Sequence, residues 1–346
     1  MNLIEPFAMS TSMIFDLFGI LFNCCLLFTA HNESPPSMKS FTTVILTTAA
    51  VNLMACSLDA MSTTRIVTAP DTLMLIFYEP TFEFGSLFLW WINSMTLGMI
   101  SYGNWINLYA LSYRYYTMQN KTPERRVVGC SLAAIFMPCL LQMISFGFAI
   151  TPVSEMKEIA EDYDIDLCNN TVAGVTNLLR VGILLPAVNF FASVMVPLLS
   201  VFIFRFFIIK QLKIRSGVIS REAKINHAQV LRALTVQCLL NIILVLDFVV
   251  VALQFLRILN VQLIEHATHL LLMIPSIVSP LTYILSVKKY RIHYIKKVTI
   301  EGSSTDHPLF IPSASYSRSA TESQSRSRGP YKNSRVYTVR SDFDRI

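Results

Sequence analysis

Seven long apolar stretches constrain the fold of this chain more than any other feature of its sequence. They lie near residues 8–30, 41–63, 85–112, 127–150, 181–209, 230–256 and 263–287. A helix needs about 20 mainly apolar residues to cross a bilayer. Only 14% of the residues are charged, whereas a soluble domain carries roughly 25%. The sequence therefore predicts an all-α membrane protein, a bundle of seven transmembrane helices, and excludes a soluble globular fold.

The distribution of Lys and Arg predicts the orientation of this bundle. Of the 28 Lys and Arg residues, 24 fall on the side that holds the C-terminus and four on the opposite side. Without residues 288–346 the ratio is still 12 to four. Because short loops rich in Lys and Arg stay in the cytoplasm, we expect the N-terminus outside and the C-terminus inside.

The connection between the fourth and fifth spans fits this orientation. Its stretch SEMKEIAEDYDID carries six acidic residues, and Asn169-Asn170-Thr171 is an acceptor sequence for N-glycosylation. We therefore predict a glycan on Asn169, outside the membrane. Two other acceptor sequences, at Asn32 and Asn120, would face the cytoplasm and stay unmodified.

The amino-acid composition of the chain changes after the seventh span. The stretch VKKYRIHYIKKV predicts an amphipathic helix over 288–298 that lies on the anionic inner leaflet. Residues 299–346 are rich in Ser and Arg and poor in apolar side chains, which is typical of a disordered segment. We therefore divide the chain into a seven-helix domain, 1–298, and a disordered cytoplasmic tail, 299–346.

A few ionisable residues interrupt the apolar runs. Asp16, Asp59 and Asp247 can each face a neighbouring helix or a water pocket and so hold the bundle together; Asp247, in the outer half of the sixth span, can instead serve a pocket or an ion. Arg114 stands among three tyrosines near the inner end of the third span. Its side chain either reaches back to the lipid headgroups or has a functional role inside the bundle.

The seventh span carries polar groups at both ends. Near its inner end Pro280 removes a backbone hydrogen bond, and Tyr283 follows one turn later. Near its outer end Glu265, His266 and His269 share one helical face, which could bind a metal ion, sense pH or present solvated imidazoles. The Cys spacing is not that of a zinc site, and we expect neither a metal nor another cofactor.

Two of these motifs resemble those of rhodopsin-like G-protein-coupled receptors. Ser112-Tyr113-Arg114-Tyr115 stands where such receptors have Asp/Glu-Arg-Tyr, but without the acid. Ser279-Pro280-Leu281-Thr282-Tyr283 matches their Asn-Pro-x-x-Tyr, with Ser for Asn. Leu89 occupies the position expected for a disulfide partner of Cys168. The resemblance implies that a heterotrimeric G protein couples at a switch formed by Arg114, Tyr115, Pro280 and Tyr283.

A closer resemblance covers nearly the whole chain. The sequence is similar to the nematode chemosensory serpentine receptors of class d (delta), of the Str superfamily. The similar fragments are PPSMKSFTTVILTTAAVNL (35–53), TTRIV (63–67), LSYRYYTM (111–118), HAQVLRALTVQCLLN (227–241) and PSIVSPLTYILSVKKYR (275–291). This resemblance implies an odorant-type receptor in the plasma membrane of sensory neurons, with their cilia as the expected location.

The ligand of such a receptor would bind between the outer halves of the helices. A mixed apolar pocket with few polar groups suits a small neutral, volatile molecule. The residues that we expect to line it are Asn93, Thr96, Leu97, Ile100, Asn189, Asp247, Gln254 and His269.

Three other functions compete with a receptor. A ligand-gated seven-helix ion channel, as in insect odorant receptors, has its N-terminus inside, against the charge distribution found here. A transporter typically shows paired repeats and broken helices, and neither is evident in the sequence. A seven-helix hydrolase needs His and carboxylate ligands from several helices, but only His266 and His269 lie within a span. We therefore expect no enzymatic activity.

Overall fold

The computed structural model of the protein describes residues 4–34, 39–69, 71–78, 85–119, 122–163, 165, 167, 170–214, 221–259 and 261–292. Its helices are α1 (Ile4–Glu33), α2 (Lys39–Met61), α3 (Ser86–Gln119), α4 (Arg125–Gly147), α5 (Val153–Asp162), α6 (Val181–Ile214), α7 (Arg221–Phe255) and α8 (Gln262–Ser286). Residues 288–292 add a short helical segment. Cys168, the predicted glycosylation site Asn169, residues 293–298 of the predicted amphipathic helix and the tail lie outside the described residues.

The seven ranges predicted from the sequence overlap α1 to α4 and α6 to α8. Within the described part of the chain, six helices are long and apolar enough to cross a membrane: α1, α2, α4, α6, α7 and α8. Helix α3 differs because it lies at the centre, packed against α2, α4, α6 and α7. It buries polar residues such as Asn93, Asn104 and Asn107 among these neighbours, so it does not need an apolar surface facing lipid.

A three-stranded antiparallel sheet corrects the expectation of an all-α chain. Its strands are β1 (Thr64–Ala69), β2 (Thr72–Phe77) and β3 (Thr171–Thr176), in the order β1-β2-β3. Thr64 pairs with Phe77 at one end of the β1-β2 hairpin, and Ala69 pairs with Thr72 at the other. Strand β1 is rich in β-branched residues, which favour extended backbone, and β2 contains Thr72 and Ile76. Asp71, in the turn, has a φ of 53°, a conformation that Asp tolerates.

Both faces of this sheet are covered. Residues of one face, such as Phe77 and Val175, pack against Trp90 of α3 and Phe146 of α4. Residues of the other face, such as Met74, pack against Met156 and other residues of α5. Because neither face meets solvent, the strands lack the alternation of apolar and polar residues by which a half-exposed strand is recognised.

The order of elements places the sheet and α5 at one end of the bundle, which we call the sheet end. This end holds the connections α2–β1, β2–α3 and α4–α5–β3–α6. The opposite end, which we call the far end, holds the start of α2, the end of α3, the start of α7 and residues 287–292. Helix α8 begins at the sheet end and reaches the far end, so it connects the two.

Candidate ligand and coupling sites

A network around Arg65 joins three elements at the sheet end. Arg65 of β1 donates from Nε to Glu265 Oε2 of α8 at 2.6 Å, and its Nη1 lies 3.6 Å from Glu5 Oε1 of α1. Burial opposes the charge of Arg65, but the Glu265 carboxylate outweighs it and raises the pKa of Arg65 above its ordinary value. Tyr78 stacks on His266, and burial raises the pKa of Tyr78 to about 12. The sheet is therefore tied to the start of both α1 and α8.

A buried cluster of carboxyl groups and one imidazole adjoins this network. His269 of α8 is 3% exposed and Asp59 of α2 is 1% exposed, and His269 Nε2 lies 3.1 Å from Asp59 Oδ2. The other ring nitrogen, Nδ1, lies 2.9 Å from Thr64 Oγ1 of β1. Asp16 of α1 adjoins Asp59, and Asp247 of α7 is close enough to act electrostatically on His269. We call these four residues, Asp16, Asp59, Asp247 and His269, the acid–imidazole cluster.

The buried carboxyl groups of this cluster must each be protonated or paired with another group. Three carboxyl groups share one imidazole, and a buried charge is tolerated only when it is paired or neutralised. At least one oxygen of each carboxyl group lacks a hydrogen-bond partner among the described residues: Asp16 Oδ2, Asp59 Oδ1 and Asp247 Oδ1. The cluster can therefore accept hydrogen bonds, or a proton, from an additional group that enters between α1, α2, α7 and α8.

Most of the residues predicted to line a pocket are buried at the sheet end. Asn93, Thr96, Ile100, Asp247, Gln254 and His269 are buried, and Leu97 is half-buried. Leu97 and Ile100 belong to an apolar cluster with residues of α2, α6, α7 and α8. Asn189 is separate, because it donates to Gln142 Oε1 in the contact between α4 and α6. The structure thus brings Asp247 and His269 together and leaves Asn189 in another contact.

A small polar cavity lies between α2, α3, α7 and α8, farther from the sheet. It has a volume of about 20 Å³ and is lined by residues that include Asn52, Asn104, Gln237 and Ser279. This volume is enough for one water molecule. Gln237 donates to Ser279 Oγ at 2.7 Å, so the residue that precedes Pro280 is held by α7.

Arg114 is enclosed at the far end of the bundle. The residue is 6% exposed, and its guanidinium carbon lies 3.7 Å from the ring centroid of Phe41 in α2. Tyr283 and Tyr290 face it from α8 and from the segment 288–292. The side chain therefore does not reach out to lipid headgroups, which was one alternative from the sequence, but packs against the neighbouring helix.

The other residues of the predicted switch lie on different sides of Arg114. Tyr115 packs against Phe204 and Phe207 of α6. Tyr283 is fully buried, and Pro280 is buried one turn before it in α8. Of the residues of the predicted switch, Tyr115 therefore contacts α6, whereas Pro280 and Tyr283 belong to α8.

Comparison with known proteins assigns the family. The model of the family described as "Serpentine type 7TM GPCR chemoreceptor Srd" matches residues 9–296. The chain belongs to this family. Serpentine receptor class delta-18 of Caenorhabditis elegans is 26% identical over 285 residues, which cover 80% of this chain and 83% of the relative. Serpentine receptor class delta-19 of the same organism is 26% identical over 317 residues, covering 89% and 90%. The resemblance to nematode class d receptors is therefore confirmed.

Membership of the serpentine receptor family makes this a multi-pass membrane protein of the chemoreceptor type. For this receptor, sequence reasoning noticed Asp16 and Asp59 as isolated carboxyl groups but did not assign them to a site. It also missed the Arg65 network, because the partners come from α1, β1 and α8 and are distant in sequence. The grouping of Glu265, His266 and His269 on one face was visible. In the described residues no three His, Cys, Asp or Glu side chains are arranged to hold a metal ion.

Proposed function

We infer that this class d serpentine receptor binds a small molecule at the sheet end and activates a heterotrimeric G protein at the far end. The observation that carries this proposal is the pair of buried polar sites connected by α8, which holds His269 near one end and Tyr283 near the other. Fourteen residues separate them, which is about 21 Å along a helix. A shift of α8 would change both sites together.

The sheet end is the extracellular end in this proposal. The distribution of 24 and four basic residues supports an outside N-terminus and an inside C-terminus. The receptor then lies in the plasma membrane of a sensory neuron, at its cilia, with Arg114 close to the cytoplasm.

The ligand is a small molecule that presents a polar group to Asp247, His269 or Gln254 and an apolar part to Leu97 and Ile100. All five side chains are buried or half-buried, and Ile100 also lines the polar cavity farther from the sheet. Signalling requires that the ligand bind one arrangement of the helices better than another. A tenfold preference corresponds to about 1.4 kcal/mol, which burial of two methylene groups at about 0.8 kcal/mol each supplies. A small volatile molecule is large enough for this purpose.

The test is expression in cultured cells with a panel of volatile compounds. The response is recorded with a G-protein reporter and as membrane current. We expect a reporter response that disappears in cells lacking the G protein, whereas a current that persists without any G protein would show that the receptor is instead a ligand-gated channel.

Variants of α7 locate the binding site in the same assay. Asp247→Asn keeps the shape of the side chain and replaces the carboxyl group with an amide, so the concentration of the active compound needed for half-maximal response should change on the order of tenfold. Leu246→Val alters the adjacent residue, which is 56% exposed, and should leave the response unchanged. Equal responses of wild type and Asp247→Asn would place the ligand elsewhere.

A further inference from the structure

The guanidinium group of Arg114 is held by an aromatic ring instead of a carboxylate. It stacks on Phe41 at 3.7 Å, and both residues are buried. Nε and Nη2 of Arg114 have no hydrogen-bond partner in the described part of the chain. A buried arginine normally needs strong hydrogen bonds to stay in place, so for these two nitrogens the stacking on Phe41 takes the place of a hydrogen bond.

Among the described residues, the titratable groups that act on Arg114 come from four elements, and none of them is acidic. Tyr113 is its neighbour in α3, Tyr283 belongs to α8, and Tyr290 belongs to the segment 288–292. His227 of α7 also lies near the arginine. These neighbours provide no negative charge that could compete with the ring of Phe41.

A contact of this kind has an intermediate strength. A desolvated cation–π contact shifts an equilibrium on the order of tenfold to thirtyfold. Losing one partner of a buried ion pair is far more costly than this. A cation–π contact can thus keep Arg114 inside the bundle most of the time and still be broken by the modest free energy of a small ligand.

We propose that Phe41 is the positioning residue that keeps Arg114 inside the bundle of the resting receptor, and that loss of this stacking contact makes the arginine available to the G protein. The inference rests on the proposed function, since it describes how the same coupling site is regulated. Tyr113 also packs on Phe41, with ring centroids 5.6 Å apart, so two adjacent residues of α3, Tyr113 and Arg114, contact the same ring.

The experiment compares two replacements of Phe41 in cells with a G-protein reporter and no added compound. Phe41→Leu keeps an apolar side chain and removes the aromatic face, so ligand-independent signalling should rise on the order of tenfold at equal surface expression. Phe41→Tyr keeps the aromatic face and should stay within about twofold of wild type. Phe136→Leu is the matched control, because Phe136 packs against Tyr102 in the same apolar cluster without contacting the arginine.

A second measurement tests the contact without a G protein. Thermal unfolding of the purified receptor is compared for Phe41→Leu, Arg114→Gln and the double variant. If the two side chains act together, the double variant loses less stability than the sum of the single variants. Additive losses would overturn the proposal.

The outcomes separate this inference from the proposed function. Unchanged basal signalling in Phe41→Leu, in cells where the wild type responds to the compound panel, overturns the role of Phe41 and leaves the proposed function intact. A rise of equal size in Phe136→Leu also overturns it, since any loosening of the core would then be sufficient. No G-protein response from the wild type or any variant overturns both.

Discussion

Replacing His269 tests whether the acid–imidazole cluster is an ion pair. His269→Gln removes the only group of the cluster that can carry a positive charge and keeps an amide for hydrogen bonding. Asp59, 1% exposed and next to Asp16, is then left without a cationic partner. A buried carboxyl group without a partner destabilises the folded protein.

The size of the effect follows from the cost of an unpaired buried charge. Breaking a buried ion pair by removing one partner destabilises a protein by about 3–5 kcal/mol, because the remaining charge stays buried without compensation. His269→Gln should therefore lower the free energy of unfolding by about 3–5 kcal/mol.

The double variant Asp59→Asn/His269→Gln is the control, because it removes both partners of the ion pair, while Asp16 and Asp247 stay the same in all three proteins. Replacing both partners with uncharged groups costs less than leaving one of them buried and unpaired. The double variant should therefore be more stable than His269→Gln.

Buried thiols provide the assay. Cys56, Cys139 and Cys238 are free and buried, so a thiol-reactive dye reports unfolding of the purified receptor. At roughly 2–4 °C per kcal/mol, the melting temperature of His269→Gln should fall by about 6–20 °C. An unchanged melting temperature, or a double variant that is no more stable than His269→Gln, would refute the assignment of Asp59 and His269 as an ion pair.

Three further predictions follow from single positions. Asn169→Gln should abolish the mobility shift produced by glycosidase treatment, whereas Asn120→Gln should not; a shift that survives Asn169→Gln contradicts the orientation. Arg65→Met should cost about 2 kcal/mol of stability by removing the ion pair with Glu265 of α8; an unchanged melting temperature would show that the network is not needed. Gly147→Ala should cost about 1–3 kcal/mol, because a Cβ there would overlap the ring of Trp91; wild-type stability would contradict this packing.

The helices could be predicted from the sequence because each one carries its own signal. A run of about 20 apolar residues indicates a span without any knowledge of its neighbours. The sheet carries a weaker signal, since its strands are short and both faces are buried. Threonine, isoleucine and valine on either side of Pro70-Asp71 were the available indication, but β3 lies almost 100 residues later and no local pattern connects it to β2.

The candidate sites were predictable only in part, because their contacts join helices that are distant in sequence. Asp247 and His269 were both expected at a pocket, and they are close together in the structure. The partner of Arg114 was not predicted, because Phe41 is an ordinary apolar residue at the start of a span. Asn189 was expected to share the pocket, but its contact with Gln142 depends on how α4 and α6 pack, which hydrophobicity alone does not determine.

The central claim is that a ligand bound at the sheet end acts on a G protein through Arg114. The most direct test is the G-protein response of wild type and Arg114→Gln to the active compound, with the amount of receptor at the cell surface measured in parallel. The account predicts that Arg114→Gln reaches the surface and gives no response. A full response from this variant at equal surface expression would contradict it.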